Sequence, residues 1–158
     1  MTEFYLRCGL SAIFGLSGGL KASGAMNGEL AKFGFPYFFA QALGLAEVAL
    51  AAVNVGAELA PIAGIGAQAA PAAAANVWVQ RAASLIMGGA ICQHFTAGDG
   101  PGGFVAPVLL LAISGAVPAL RGDASSPVEA AGIAAAIAGA GFAICSLMSK
   151  KPAGKEKK

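Results

Sequence analysis

The chain carries a carboxylate at a position where a charge is costly. Glu47 lies near the middle of an apolar segment, residues 36–57, that is long enough to cross a bilayer. A charge at that depth costs roughly 2.5–3.5 kcal/mol on insertion scales, so such groups usually face a partner or a polar cavity. Three interpretations are open: an ion pair that fixes helix register, a proton-relay carboxylate, or a polar anchor for a ligand headgroup.

Two arginines in other apolar segments are candidate partners for Glu47. Arg7 opens the first segment and Arg81 lies early in the third, so antiparallel packing of neighbours would bring both near one membrane face. The axial offset to Glu47 is about six residues, roughly 9 Å at 1.5 Å per residue, and a long side chain can close part of that gap. The spacing predicts a pair between Glu47 and an arginine inside a polar pocket.

His94 is the only histidine of the chain, and Asp99 follows five residues later in a glycine-rich turn. An interfacial histidine beside an aspartate could shuttle protons or hydrogen-bond a quinone carbonyl at the mouth of the pocket. A capping or structural role is the alternative, and contact with Glu47 would need a bridging water. A single histidine excludes a bis-histidine haem held by this chain alone.

Three cysteines, Cys8, Cys92 and Cys145, all lie in apolar stretches. Their number is odd, and neither a Cys-x-x-Cys pair nor a Cys/His ligand spacing is present, so no disulfide framework or metal site is expected. We interpret them as small buried hydrophobic residues.

The composition indicates an integral membrane protein with one domain. Of the 158 residues, 57% are hydrophobic and 11% are charged, whereas a soluble domain carries roughly 25% charge. The net charge of +2 does not indicate a nucleic-acid partner, because five of the ten basic residues lie in the lysine tail, residues 150–158, rather than on a folded face. Residues 1–149 are predicted to form the membrane bundle, and the tail to be solvent-exposed.

Five apolar stretches are each near the roughly 17–25 residues that a spanning helix needs. The sequence therefore predicts an all-α, multi-pass bundle of four to five transmembrane helices. Prolines and glycines between residues 59 and 72 favour a loop there, with a sixth span as the alternative. Basic residues near the segment ends favour a cytosol-like side for the C-terminus. The predicted spans cover residues 4–20, 36–57, 73–95, 103–120 and 127–148.

Small residues recur every fourth position in the first helix, which would let another helix approach closely. They are Ser11, Gly15, Gly19 and Ser23. This stripe could pack within the bundle or form an oligomer interface. An aromatic cluster at residues 33–39 opens the second segment and could form either a boundary girdle or the lining for a flat ligand such as a quinone.

Several of these pieces resemble the DoxX-like family of small membrane proteins. The first helix is similar in having Arg7 at its start and GLSGGLK at residues 15–21, and the second carries the Leu-Gly-x-x-Glu element at residues 43–47. Residues 87–99, with His94 and Asp99, resemble the end of the family's third helix. The resemblance covers roughly residues 4–120. A longer connection after the second helix, a fifth apolar segment and the lysine tail depart from the pattern.

The resemblance implies a helical bundle, usually of four spans, and some members are linked to quinone-coupled sulfur oxidation. We therefore expect a redox-associated protein or an accessory to a quinone-linked membrane complex, with quinone as the possible cofactor and no metal. The alternative is a non-catalytic structural subunit of a large respiratory or photosynthetic assembly. Either way the expected partners are the lipid bilayer and other membrane subunits, and independent catalysis is not expected. A carrier is a third possibility, although no internal repeat is obvious.

Overall fold

The computed structural model describes residues 1–59 and 69–149, and these ranges are helical with short connections and no strand. The helices are α1 (Thr2–Ala22), α2 (Asn27–Ala31), α3 (Tyr37–Leu59), α4 (Ala69–Ala97), α5 (Pro101–Arg121) and α6 (Pro127–Met148). The all-α prediction is confirmed for these ranges. The tail after Ser149 and the proposed sixth span, apart from its edges, lie outside the described residues.

The five long helices coincide with the five apolar segments, with α4 longer at both ends than predicted. The predicted loop between residues 59 and 72 is wrong at its second edge, because α4 already begins at Ala69; its first edge agrees with the end of α3 at Leu59, and residues 60–68 lie outside the described ranges. Pro71 is therefore in the first turn of α4, where its missing N–H removes no intrahelical hydrogen bond.

Three helices are long and apolar enough to cross a membrane by length and composition: Tyr37–Gly56, Pro101–Arg121 and Pro127–Met148. By this criterion, applied to the described residues, α1 and α4 are not among them. α1 carries Glu3, Arg7 and Lys21, which lower its mean hydropathy.

Local signals set the helix ends. The Ser126 side chain accepts a hydrogen bond from the Glu129 amide, and the Glu129 carboxylate accepts from the Ser125 amide, so Ser126 caps the N-terminus of α6. Pro127 occupies the first turn of this helix. α5 ends where Gly122 adopts the left-handed conformation, with φ of 76°, which a glycine accepts without steric cost.

The bundle consists of two closely packed helix pairs. α1 runs antiparallel to α3, and α4 runs parallel to α6, while α5 packs against α1, α4 and α6. Each pair crosses at two glycines. A Cβ on Gly18 would lie 2.6 Å from the Gly44 carbonyl oxygen, and a Cβ on Gly88 or Gly141 would overlap the backbone of the facing helix. Glycine is required at these positions because the backbones themselves are in contact.

Polar side chains are enclosed by the bundle, and large apolar side chains cover its outside. Phe38, Leu16 and Val105 are each more than 60% exposed. Among the residues whose burial the structure describes, the buried polar and charged ones are Arg7, Ser11, Glu47, Asn54, Asn76, Gln80, Ser84 and Ser114. Apolar surface on this scale is typical of a membrane contact, and together with the three apolar helices it indicates a membrane protein.

Candidate functional site

The crossing of α1 and α3 positions the charged pair of the site. Lys21 follows Gly18 by three residues and Glu47 follows Gly44 by three, so in this antiparallel pair they lie on opposite sides of the crossing. The Cα–Cβ bonds of a helix tilt toward its N-terminus, and the two side chains therefore lean toward one another. A Cβ on Gly18 would lie 2.9 Å from Glu47 Cβ and a Cβ on Gly44 would lie 2.7 Å from Lys21 Cβ, so Lys21 and Glu47 are only about one helical turn, roughly 4.5 Å, apart along the axis.

Glu47 pairs with a lysine. Lys21 Nζ donates to Glu47 Oε1 over 2.5 Å, and the two side chains are 13% and 1% exposed. The predicted arginine partner is wrong, because a register fixed by Gly18 and Gly44 brings Lys21 to the carboxylate instead. Glu47 Oε2 is buried and has no hydrogen-bond donor among the described residues. The carboxylate can accept a further hydrogen bond.

A cavity of about 170 Å³ opens beside this ion pair, between the α1–α3 pair and the α4–α6 pair. Its walls are apolar apart from Lys21, Glu47 and Gln93, and half-exposed Ile144 and Met148 stand at its edge. The volume is close to the ~150 Å³ of an apolar cavity that holds benzene. The cavity thus has room for one six-membered ring, with a charged pair on one wall and an apolar edge on the other.

The aromatic cluster divides between the two predicted roles. Phe35 and Phe39 line the cavity and stack on one another with ring centroids 4.8 Å apart. Tyr37 and Phe38 are exposed on the outside of the bundle. One half of the cluster forms a flat wall of the cavity, and the other half belongs to the outer surface.

Arg7 lies in a separate polar core at the opposite end of α1. Its Nε contacts Glu3 Oε1 at 2.6 Å, and its guanidinium donates to the Asn54 carbonyl oxygen at 2.5 Å. Asn54 is the hub of this core: its Nδ2 donates to the Arg7 carbonyl and to Ser11 Oγ, and its Oδ1 accepts from two further amide side chains. Those donors are Asn76 Nδ2 at 3.0 Å and Gln80 Nε2 at 2.7 Å.

The amide hub joins α1, α3 and α4, and a hydrogen bond between Ser84 and Ser114 adds α5. Sequence reasoning missed Asn54, Asn76 and Gln80, because it followed charge alone. A signal was present, since uncharged amides at one depth of adjacent apolar helices favour hydrogen bonding across helices.

Arg81 takes no part in the ion pair of Glu47. Its guanidinium lies over the exposed Trp78 ring, 4.8 Å from the centroid, in a cation–π contact. It also lines a small cavity of about 30 Å³ with Gln80 and Ser84. The structure therefore separates Arg7 and Arg81 from Glu47, and only Glu47 of the three belongs to the ring-sized cavity.

His94 and Asp99 are in contact, with Nδ1 and Oδ2 2.5 Å apart. The His94 ring packs edge-on against Phe33 and Phe104. Among the described residues the neighbouring Gln93 lines the cavity and His94 does not, so the predicted place of His94 at the mouth is wrong. The His–Asp pair lies at the same end of the bundle, where the His94 ring packs against Phe33.

The predicted small-residue stripe holds for only half of its length. Ser11 is buried against Asn54, and a Cβ on Gly15 would contact Ala51. Gly19 and Ser23 are exposed, and Gly18 occupies the crossing instead. An α-helix has 3.6 residues per turn, so residues spaced by four gradually rotate away from one face. After Gly15 the contact with α3 is therefore made by Gly18 rather than by Gly19.

The described part of the chain contains no cluster of three or more His, Cys, Asp or Glu side chains that could hold a metal ion. What the ring-sized cavity offers is a cationic donor, a carboxylate with a free acceptor oxygen, and apolar walls. This set can bind a flat molecule that carries both a hydrogen-bond acceptor and a donor.

No protein-family model matches the chain, and no curated protein or solved structure matches it either.

Proposed function

We propose that the protein is a multi-pass integral membrane protein of DoxX-like type that binds the ring of a lipid-soluble quinone beside Lys21 and Glu47. In this role it is an accessory to a quinone-linked membrane complex. The observation that carries the proposal is the buried Glu47, whose second carboxylate oxygen lacks a donor among the described residues, next to a ring-sized apolar cavity.

The chemistry of the pair suits both redox forms of such a ring. Lys21 can donate to the oxygen of an oxidised ring, and Glu47 Oε2 can accept the hydroxyl hydrogen of a reduced one. The stacked Phe35 and Phe39 offer a flat wall, and the edge at Ile144 and Met148 lets an isoprenoid tail extend toward lipid. The volume favours a single ring over a fused pair of rings.

The proposal includes five membrane-spanning helices. α1 has 21 residues and α4 has 29, which at 1.5 Å per residue are roughly 31 and 44 Å long, enough for a hydrocarbon core of about 30 Å. Arg7 and the amides of α4 face the interior, where other helices satisfy them. Polar groups so enclosed are compatible with a span whose outer face is apolar.

The test compares two matched glutamate variants in detergent micelles. Equilibrium dialysis measures binding of tetramethyl-1,4-benzoquinone. Glu47→Gln keeps the shape but removes the charge beside the cavity, and we expect binding to weaken by about tenfold, the loss of one charge-assisted hydrogen bond. Glu29→Gln makes the same change in an exposed pair with Lys32 and should bind as the wild type does. Equal binding by both variants would remove the quinone proposal.

A second candidate function, a non-catalytic subunit of a respiratory or photosynthetic assembly, is favoured by one observation. The outward face of α6 is made of small residues, Gly132, Ala135, Ala136, Gly139 and Ala140, all of them exposed. Such a face suits a helix of another subunit. Co-migration with a large complex in mild detergent, together with unchanged quinone binding in Glu47→Gln, would favour this function over the first.

A further inference from the structure

Two buried cysteines lie beside the ring-sized cavity. Cys92 of α4 and Cys145 of α6 belong to one buried cluster with Phe35, and Cys92 Sγ contacts the hydroxyl of Ser146, the residue that follows Cys145. Both are free cysteines. Cys145 lines the cavity, whereas Cys92 is fully buried behind it.

The helix crossing explains why these two side chains belong to one cluster. Gly88 and Gly141 bring the backbones of α4 and α6 into contact, and each cysteine follows its glycine by four residues, one helical turn. The helices are parallel, so the two cysteines lie at the same level. The position of a Cβ on Gly89 is 4.0 Å from Cys145 Cβ, which shows how closely the backbone of α4 passes this residue.

The sequence carries a matching pattern, Gly-x-Ala-Ile-Cys, at residues 88–92 and again at residues 141–145. The pattern repeats the crossing glycine and the cysteine in the same relation on both helices. A disulfide needs Cα atoms about 4.4–6.8 Å apart, and a crossing at paired glycines is an arrangement that permits such a distance.

Two hydroxyl groups hold the thiols in place. Cys92 Sγ lies 3.2 Å from Ser146 Oγ, and Cys145 Sγ lies 3.7 Å from Ser149 Oγ. The Ser146 hydroxyl donates to the Phe142 carbonyl, so its lone pairs accept from the Cys92 thiol. Each sulfur thus has a polar neighbour, Ser146 on α6 or Ser149 at its C-terminal cap, within a largely apolar cluster.

We propose that Cys92 and Cys145 form a reversible disulfide by giving two electrons to a quinone ring in the adjacent cavity. This rests on the proposed function, from which the oxidant comes. The two S–H bonds break and one S–S bond forms. The two electrons enter the ring, and the two protons go to its two oxygens, which makes it a hydroquinone. Cys145 faces the ring, and Cys92 closes the disulfide.

The test counts free thiols in the full-length protein. The reduced protein in micelles is exposed to tetramethyl-1,4-benzoquinone, whose ring carbons are all substituted and so offer no open position for thiol addition. It is then denatured and labelled with a maleimide polymer. We expect labelling to fall from three thiols to one and the intact mass to fall by two hydrogen atoms. The Cys8→Ser variant should lose both of its two labels. The Cys92→Ser and Cys145→Ser variants each lack one partner of the disulfide and should keep both of theirs.

Two further measurements distinguish failure of the disulfide pairing from failure of the electron transfer and of the proposed function. Diamide, a general thiol oxidant, should also join Cys92 to Cys145, and failure to do so would overturn the pairing itself. Oxidation by diamide but not by the quinone would overturn the electron transfer. Quinone binding is measured separately in the Cys92→Ser/Cys145→Ser variant. Suppose that this variant binds the quinone in a way that depends on Glu47, and that the quinone-treated wild type still has three free thiols. That pair of results would overturn the disulfide inference and leave the proposed function intact.

Discussion

Glu47 is a carboxylate kept inside an apolar bundle by one ammonium group. Taking two charges out of water costs several kcal/mol for each ion, and their attraction offsets this only where geometry is good and the remaining lone pairs are satisfied. The Lys21 contact at 2.5 Å meets the first condition, and Oε2 leaves the second unmet among the described residues. This unmet hydrogen bond is the reason for proposing that the cavity binds a ligand.

Removing Lys21 should destabilise the protein far more than removing an exposed lysine. Lys21→Met leaves Glu47 buried without a counter-charge, and we expect a loss of about 3–5 kcal/mol in the free energy of unfolding. Lys32→Met breaks the exposed pair with Glu29 and should cost no more than about 0.5 kcal/mol. Unfolding by SDS titration in mixed micelles measures both.

The double variant Lys21→Met/Glu47→Gln distinguishes the contribution of the ion pair from the cost of leaving one charge unpaired. With neither charge present, most of the lost stability should return, because the cost in the single variant comes from the unpaired carboxylate. A double variant as unstable as Lys21→Met alone would contradict this account.

The polar core around Asn54 shows what a charge-based interpretation of the sequence overlooks. Glu47 and Arg7 were predicted to be buried because their cost is visible in one sequence, and both are buried. Their partners could not be predicted from depth in the membrane alone. The crossing at Gly18 and Gly44 fixes the register of α1 against α3, and this register brings Lys21 rather than Arg7 to Glu47. The sequence shows the crossing only as two glycines. The amide side chains carry no charge, and in a single sequence they stand out little from other polar residues.

At the scale of the elements, glycine placement decides which helices pair. Gly88 and Gly141 set the α4–α6 crossing, whereas a Cβ added to Gly132 or Gly139 of α6 would meet nothing within 4 Å among the described residues. The two kinds of glycine look alike in the sequence. The existence of the helices and most of their boundaries could be predicted from the lengths of the apolar segments, but which helices come into close contact depends on tertiary packing.

A matched glycine pair on α4 and α6 tests this distinction. Gly88→Ala places a methyl group against the Ala138 carbonyl, so α4 and α6 must separate, and we expect a loss of about 2 kcal/mol or more from overpacking. Gly132→Ala meets open space and should be neutral or stabilising by up to about 1 kcal/mol through helix propensity. Thermal unfolding in detergent compares them, and equal effects would contradict the assigned crossing.

At the scale of the whole molecule, the bundle turns its polar side chains inward and its large apolar side chains outward. The composition predicted this arrangement, because 11% charge cannot cover a water-facing surface. The number of membrane spans did not follow from composition in the same way. α1 and α4 place charged or amide side chains in the interior of the bundle, so the mean hydropathy of each helix underestimates how apolar its outer face is. A helix can therefore pack as a span while its composition alone does not identify it.

Single-cysteine labelling distinguishes five spans from three. In a variant with Cys8, Cys92 and Cys145 replaced by serine, cysteine is introduced at Thr2, Gly28, Gly100 or Asp123, all exposed at the bundle ends. With five spans, a membrane-impermeant maleimide should label Thr2→Cys and Asp123→Cys from one side. Gly28→Cys and Gly100→Cys should be labelled from the other, which is the cytosol-like side if the basic residues set the orientation.

The informative position is Gly28, between α1 and α3. If only α3, α5 and α6 crossed the membrane, Gly28→Cys would be labelled together with Thr2→Cys and opposite Gly100→Cys. The contact between the Phe33 and His94 rings, 6.2 Å apart, argues against that outcome, because it holds the α1–α3 connection and the end of α4 at the same end of the bundle. We therefore expect Gly28→Cys and Gly100→Cys to be labelled from the same side.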